Sequence, residues 1–323
     1  LKELKVLETL EAAWKKREIQ GCFKDTEALR LFYGPGEGKG FLEQFAIDQF
    51  GAHCWITEWQ SSKKSDQQTE ISEITEFLKT KAFKSAVALF RPEKNVPGEP
   101  VVLFGAPPEG RFEVTENGAR FWIQLLNVKH PGLFLDHAPL RKWLMSHSRD
   151  ARVLNTFAYT GSLSVASGLG GASYVTTLDL SKPTTEWARE NWILNGLPES
   201  SADFIFGDYF EWLPKMLKRK QLFDIVILDP PSYSRGKKGD FSTSRDLIKL
   251  HELALDVLAP QGLLITSLNS ANVSKKKYWD EIQEASRSKK MKLTSVQEIS
   301  LPESFPMRDR EEPYLKGWVL RRV

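Results

Sequence analysis

Asp229-Pro230-Pro231-Ser232 ends the most apolar run of the chain, Phe223-Asp224-Ile225-Val226-Ile227-Leu228. Two successive prolines can neither donate to a sheet nor extend a helix. The turn therefore leaves rigid carbonyls and one carboxylate at the end of a strand that reads as buried on both faces. Acceptors alone suit a flat nitrogen base, and Tyr233 is placed to stack on it. Asp229, Pro230, Pro231 and Tyr233 form the candidate catalytic group, with Asp229 also a candidate cofactor contact, against a purely structural turn as the alternative. Asn269 lies just after another apolar run, Gly262-Leu263-Leu264-Ile265-Thr266. It is the candidate orienting donor or acceptor, again with a structural turn as its rival.

Asn155-Thr156-Phe157-Ala158-Tyr159-Thr160-Gly161-Ser162 reads as a strand entering a loop that opens a helix. Open α/β sheets bind ligands at such a point. A dinucleotide needs G-x-G-x-x-G, because its pyrophosphate must approach bare backbone. Only Gly161 occupies this loop. S-adenosylmethionine (SAM) carries a methionine zwitterion, a sulfonium and a nucleoside but no pyrophosphate, so one glycine with hydroxyls nearby suffices. Asp179 ends the next strand, 18 residues after Gly161. There a carboxylate can accept two hydrogen bonds from ribose hydroxyls; the competing role is at the following helix start, where Ser181 can cap. Leu180 and Ser181 complete that stretch. Asp208, in Phe206-Gly207-Asp208, is suited equally to the adenine amino group and to capping the next helix.

These residues need a scaffold. With 323 residues, 41% of them apolar, 10 Trp and 19 Phe, the chain can fill a sizeable core, and two domains are expected. A net charge of +3 is compatible with nucleic acid without pointing to it. Cys22 and Cys54 make neither a disulfide framework nor a zinc site, so no metal is expected. Leu1 to Gln20 lacks the apolar stretch of a signal peptide, and nothing approaches a membrane span. A cytoplasmic protein without a membrane partner is expected.

Leu4, Leu7, Leu10 and Trp14 predict an amphipathic helix over Leu1 to Ile19, and Gly34 to Gly38 a connector. From Phe41 to Lys129 short strands surround one helix over Thr69 to Lys81, with Glu93 to Pro100 as a loop and Asn117-Gly118 as a hairpin turn. From His130 strands and helices alternate. They run from Arg152 to Ser288 and end in two strands, Leu293 to Ile299 and Leu315 to Arg321, with no helix between them. The expected class is α/β. A doubly wound, mostly parallel Rossmann-like sheet with a terminal antiparallel hairpin (the class I methyltransferase layout) occupies 130–323, a smaller α+β domain 41–129, and a helix with linker 1–40.

Val153 to Leu197, the turn from Asp229 to Ser234, and Pro313-Tyr314-Leu315-Lys316-Gly317 together resemble one family. It is the bacterial large-subunit ribosomal RNA methyltransferases that modify cytosine C5 or guanine N7. Gly132-Leu133-Phe134-Leu135-Asp136-His137 resembles that family's Gly-Leu-Phe-Leu-Asp-Gln segment. Arg30-Leu31-Phe32 and Ile47-Asp48-Gln49-Phe50 resemble its smaller central domain. The resemblance implies SAM as cofactor, RNA (ribosomal RNA in particular) as partner, and Phe134, Asp136, Tyr159, Thr160, Gly161, Asp179 and Asp208 around the cofactor. It says nothing of oligomeric state.

Three features depart from that pattern. Only one helix stands where cytosine-C5 members carry a PUA domain. His137-Ala138 replaces the family's Gln-Arg. Ser267-Leu268-Asn269-Ser270 stands where C5 enzymes carry a cysteine. Cytosine C5 needs a thiolate at C6 before it becomes nucleophilic. No cysteine occurs after Cys54, so the C5 route requires Cys22 or Cys54 to reach across from the small domain. A nitrogen such as guanine N7 attacks the methyl with its own lone pair and needs alignment and exclusion of water. N-methylation of an RNA base is therefore expected. The alternatives are N-methylation of a protein or small molecule, and a non-catalytic SAM-binding module. Arg235-Gly236-Lys237-Lys238-Gly239, with Arg245 and Lys249, reads equally as a phosphate-binding loop and as a solvated lid. The five histidines are given no catalytic role.

Overall fold

Val6, Leu10, Ala13 and Arg17 recur at spacings of four, three and four, and theirs is the face that helix α1 (Glu3–Ile19) buries. The computed structural model describes residues 3–59, 67–90, 98–231, 233–236, 239–242, 245–270, 272–308 and 312–323, without the side chains of 3–5, 67, 233–236 and 239–241. The expected stripe through Leu4, Leu7, Leu10 and Trp14 is rotated. Leu7 is exposed, Trp14 is half-buried, and the side chain of Leu4 lies outside the described residues. Arg17 accounts for the difference. Its guanidinium is fully buried, meets both oxygens of Glu37 at 2.6 Å, and donates to the carbonyls of Ala13, Arg30 and Ser304. A charge so thoroughly paired can be buried, and it takes its helix face with it.

α1 packs into the first of two units, Leu1–Asp136 with Pro302–Glu311. Its sheet runs β1 (Ala28–Tyr33), β2 (Phe45–Phe50), β3 (His53–Glu58), β4 (Ser85–Leu89), β5 (Pro100–Gly105) in space as in sequence. A single-turn helix α2 (Gly34–Glu37) fills the glycine-rich connector and supplies Glu37. Only β3 and β4 run parallel, and helix α3 (Gln67–Thr80) lies between them in sequence, the crossover a parallel pair needs. β6 (Phe112–Glu116) and β7 (Ala119–Ile123) form the expected hairpin, with Asn117 and Gly118 at φ 52° and 83°, as a type I′ turn demands. β1 was not anticipated. It is buried along nearly its whole length and shows no alternation. Residues 1–40 are thus part of this unit's core rather than a helix and linker set apart. The expected loop at Glu93 to Pro100 lies largely outside the described residues, and Pro100 opens β5.

The second unit is His137–Leu301 with Glu312–Val323. It contains α4 (Ala138–His147), β8 (Arg152–Thr156), α5 (Ser162–Leu169), β9 (Tyr174–Asp179), α6 (Lys182–Leu194), β10 (Ala202–Phe206), α7 (Tyr209–Lys218), β11 (Phe223–Leu228), β12 (Tyr233–Gly236) and β13 (Gly239–Ser242). It continues with α8 (Leu247–Val257), β14 (Leu258–Asn269), α9 (Lys275–Ser288), β15 (Leu293–Glu298) and β16 (Leu315–Arg322). The main sheet has the order β10-β9-β8-β11-β14-β16-β15. β16 lies antiparallel between β14 and β15, and the described pairings from β10 to β14 are parallel. Along β11, Ile225 and Ile227 pack with α4, α5 and α6, while Val226 and Leu228 pack with α7, α8 and α9. A strand buried on both faces is the mark of a doubly wound sheet. α4 was not anticipated, because His137 at its start makes no side-chain cap. The basic stretch after the proline turn has the backbone of a hairpin, β12–β13; Lys237 and Lys238 lie outside the described residues.

Candidate active site

Parallel register brings the chemistry together. Thr156 of β8, Leu228 of β11 and Thr266 of β14 lie side by side, so Phe157, Asp229 and Ser267 follow at one edge of the sheet. Leu178 of β9 pairs with Thr156, and Phe206 of β10 with Asp179. The carboxyl ends of five strands thus present the loop at 157–161, Asp179, Gly207-Asp208, Asp229 and Ser267 in one row, the crevice where open α/β sheets bind.

The loop after β8 is strained. Phe157, Tyr159 and Gly161 alternate in the left-handed region at φ 53°, 50° and 72°. For the two non-glycines this costs of order 1–3 kcal/mol each. The twist aims the Tyr159 N–H at Asp179 Oδ2, 2.8 Å away. Phe157 stacks on Tyr209 at 5.0 Å. Thr160 is buried, and its carbonyl accepts from Asn191 Nδ2 at 2.9 Å, which anchors the loop to α6. A Cβ on Gly161 would stand 2.7 Å from Ala188 Cβ. Gly161→Ala is expected to destabilise the protein by about 1–2 kcal/mol from the left-handed backbone alone. Denaturant unfolding would measure it, and a variant as stable as wild type would show that the loop relaxes freely.

Asp179 is a hub. Besides Tyr159 it accepts from the Ser181 N–H at 2.9 Å and the Thr184 hydroxyl at 3.1 Å, both at Oδ1. Burial pushes its carboxyl above the ordinary value, against those hydrogen bonds. The Leu180 N–H joins these donors, so the carboxylate is held by its own turn, by the 157–161 loop and by the start of α6. Ser181 occupies the N-cap position of α6 without a side-chain cap. Asp208 caps α7, accepting from Phe210 N at 2.8 Å. Leu180 and Phe206 stand exposed beside these carboxylates at strand tips, although both are apolar. Phe206 was missed; its place directly before Gly207-Asp208 was the signal.

At the proline turn the Asp229 carboxylate is gripped from two directions. Ser267 Oγ donates to Oδ1 at 2.6 Å, and His137 Nε2 lies 3.0 Å from Oδ2. Burial raises the Asp229 carboxyl, but the charge and hydrogen bond of His137, together with Ser267, outweigh it and hold the group below the usual carboxylate range. The side chain keeps 26% exposure, enough to meet a ligand. Pro230 is buried and Pro231 exposed. His137 and Ser267 were both missed as site residues, one among scattered histidines and the other for want of a thiol. Asn269, two residues beyond Ser267 on the same strand, is exposed and shares its face. Ser232 and the side chain of Tyr233 lie outside the described residues. Phe134 and Asp136 fall in the first unit, Phe134 exposed and 5.4 Å from the His130 ring, Asp136 buried. Arg141 is buried on α4, 3.4 Å from Ser162 Oγ at the start of α5.

Residues 29–320 match the model of a family described as S-adenosylmethionine-dependent methyltransferase. The chain belongs to that family. A Bacillus subtilis (strain 168) protein, YwbD, named as a candidate ribosomal RNA large subunit methyltransferase, is 30% identical over 303 residues, 93% of this chain and 76% of that relative. The ribosomal RNA large subunit methyltransferase K/L of Pseudoalteromonas translucida is 33% identical over 230 residues, 69% of this chain. The chain spans 32% of that longer protein's length. A crystal structure of SMU.776, a candidate methyltransferase complexed with SAH, superposes with a TM-score of 0.90 at 27% identity, over 99% of this chain and 81% of the other.

The methyltransferase's residues fit SAM. The partly exposed Asp179 carboxylate and the exposed apolar Leu180 and Phe206 would give a sulfonium nucleoside an acceptor and apolar walls. When bound, SAM supplies an electrophilic methyl group. The chain's own part is to hold it, align it with an attacking lone pair and keep water away. Among the described residues no group of His, Cys, Asp and Glu could hold a metal ion, and no described helix is long and apolar enough to cross a membrane.

Proposed function

We propose that this methyltransferase acts in the cytoplasm on RNA, transferring the methyl of SAM to a nitrogen of a ribosomal RNA base. The relatives' names support the RNA. The observation that carries the nitrogen is the state of the two cysteines. Cys54 is completely buried in the core of the first unit and burial pushes its thiol well up; Cys22 packs against the same core with its thiol also raised, chiefly by burial. Ser267 stands at Asp229, and a serine hydroxyl is too weakly acidic to replace a thiolate at cytosine C6. A ring or amino nitrogen needs no covalent adduct. Asp229 and the carbonyls before and within the proline pair then hold the base, with Tyr233 and Asn269 as further contacts. Asp179, Leu180, Ser181, Asp208 and the 159–161 loop hold the cofactor, with Phe134 and Asp136 assigned to it by resemblance.

Incubation with methyl-labelled SAM and RNA from cells lacking the gene tests this. Label should appear in RNA, and nuclease digestion should place it on a base nitrogen. Label in protein or small molecules, or at cytosine C5, would reject the proposal, and SAM binding without transfer would mark a non-catalytic module. Asp179→Ala should weaken SAM binding by about 1.5–3 kcal/mol, roughly 10- to 150-fold. Unchanged affinity in calorimetry would remove Asp179 from the cofactor site.

A further inference from the structure

His137 occupies the N-cap position of α4 yet makes no cap with its side chain. Ser, Thr, Asp and Asn suit that position and histidine does not, so the helix start does not explain the residue. Its ring is turned elsewhere and nearly buried, at 6% side-chain exposure, with Nε2 against Asp229 Oδ2.

Proton accounting fixes the direction of each bond. A carboxylate below its ordinary pKa is acceptor-only. The Ser267 hydroxyl has one proton and two candidate acceptors, Asp229 Oδ1 at 2.6 Å and the Leu228 carbonyl at 3.4 Å, and the shorter contact to the anion takes it. The proton between His137 and Asp229 must sit on Nε2. Each Asp229 oxygen therefore accepts one donor from the protein, one from β14 and one from the start of α4. The Tyr278 hydroxyl on α9 stands 3.2 Å from the Ser267 carbonyl, beneath the same turn.

We infer that His137 is a positioning residue, which together with Ser267 locks the plane of the Asp229 carboxylate so that the turn meets its target with acceptors in one fixed orientation. With Ser267 alone, the carboxylate is free to rotate about its last torsion, a broad and roughly two-fold one. With both donors in place, the remaining lone pairs face the exposed side. They select a base edge that carries N–H groups, and they leave the alignment of lone pair, methyl and sulfur undisturbed. This rests on the functional reading above. Among the described residues, the titratable groups around Asp229 on the packed elements are His137 before α4 and Tyr278 on α9.

Two variants at one position test it. His137→Phe keeps a ring and removes the donor. His137→Gln places a neutral amide donor there and restores the residue found in the resembled family's segment. The Phe variant should lower the transfer rate at saturating SAM roughly 30- to 100-fold, the scale of a misplacement of about 1 Å. SAM affinity should stay within about threefold. The Gln variant should recover to within about fivefold of wild type. A Phe variant within threefold of wild type, or a folded Gln variant no better than Phe, would overturn the inference. If the Phe variant does not fold, Ser267→Ala replaces it as the single-donor case, with the same outcomes. Wild-type enzyme that labels protein instead of RNA overturns only the substrate assignment, because the same rates can be taken on that protein. Wild-type enzyme that labels nothing while binding SAM overturns both.

Discussion

Asp229→Ala should slow methyl transfer roughly 100- to 1000-fold, the range for loss of a preorganised polar contact at a reacting centre, while SAM affinity changes by no more than about threefold. The separation follows from position. Asp229 stands at the tip of β11, next to Ser267 of β14, whereas Asp179 with its Tyr159, Ser181 and Thr184 donors stands two strands away on β9. Deletion of the carboxylate leaves Ser267 and His137 facing a hole and removes the acceptor from the rigid turn. The prolines that follow cannot fill it, since Pro230 is buried and Pro231 carries no donor. Single-turnover transfer of labelled methyl, with calorimetry of SAM binding on the same variant, separates the two effects. A rate within threefold of wild type would take Asp229 out of the reacting centre. A joint collapse of rate and affinity would mean that the turn holds the cofactor instead.

Acid should destabilise the second unit through His251. The imidazole is fully buried on α8, with Nδ1 2.7 Å from the Leu247 carbonyl and Nε2 2.9 Å from the Thr266 hydroxyl. The carbonyl accepts, so Nδ1 carries the proton and Nε2 takes the one from Thr266, whose oxygen in turn meets the Tyr278 hydroxyl. Burial lowers the pKa of this histidine from 6.5 to about 4, against the bond to Leu247. Between those values the unfolded chain binds a proton that the folded one refuses. The contribution to stability is therefore complete above pH 6.5 and is lost as pH falls toward 4, in all about 3 kcal/mol. His251→Gln abolishes this titration. The wild-type-minus-variant difference in unfolding free energy should shrink by about 2 kcal/mol between about pH 7 and about pH 5. A difference that does not change with pH would show that the fold leaves His251 free to charge.

The stretches legible from sequence are those where local chemistry and tertiary role coincide. The Val-Leu-Asn strand into a single-glycine loop, the acidic strand ends at Asp179 and Asp208, and the apolar run into Asp-Pro-Pro each state backbone geometry and surroundings in a few consecutive residues. Asn117-Gly118 did the same for its hairpin, because only that pair accepts two positive φ values so readily. β1 and α4 were missed for the converse reason. β1 is buried without alternation, and α4 begins at a histidine that does not cap. The face of α1 was misplaced because a charged Arg17 turned out to be buried, and its partners, Glu37 and the Ser304 carbonyl, lie 20 and 287 positions away.

By itself the sequence determined a doubly wound sheet, a SAM-type loop and an acceptor-rich turn, since each depends on residues adjacent in the chain. Only the tertiary structure decided who stands next to Asp229. His137 and Ser267 lie 92 and 38 positions from it, and no spacing rule links them; parallel register and the start of α4 bring them together. Likewise, residues 302–308 read as part of the link between two strands of one sheet, yet they fall in the first unit, where Phe305 lies 4.2 Å under the Arg30 guanidinium. Contacts between distant segments are set by which surfaces the whole chain must bury at once, and that balance cannot be read from any one segment.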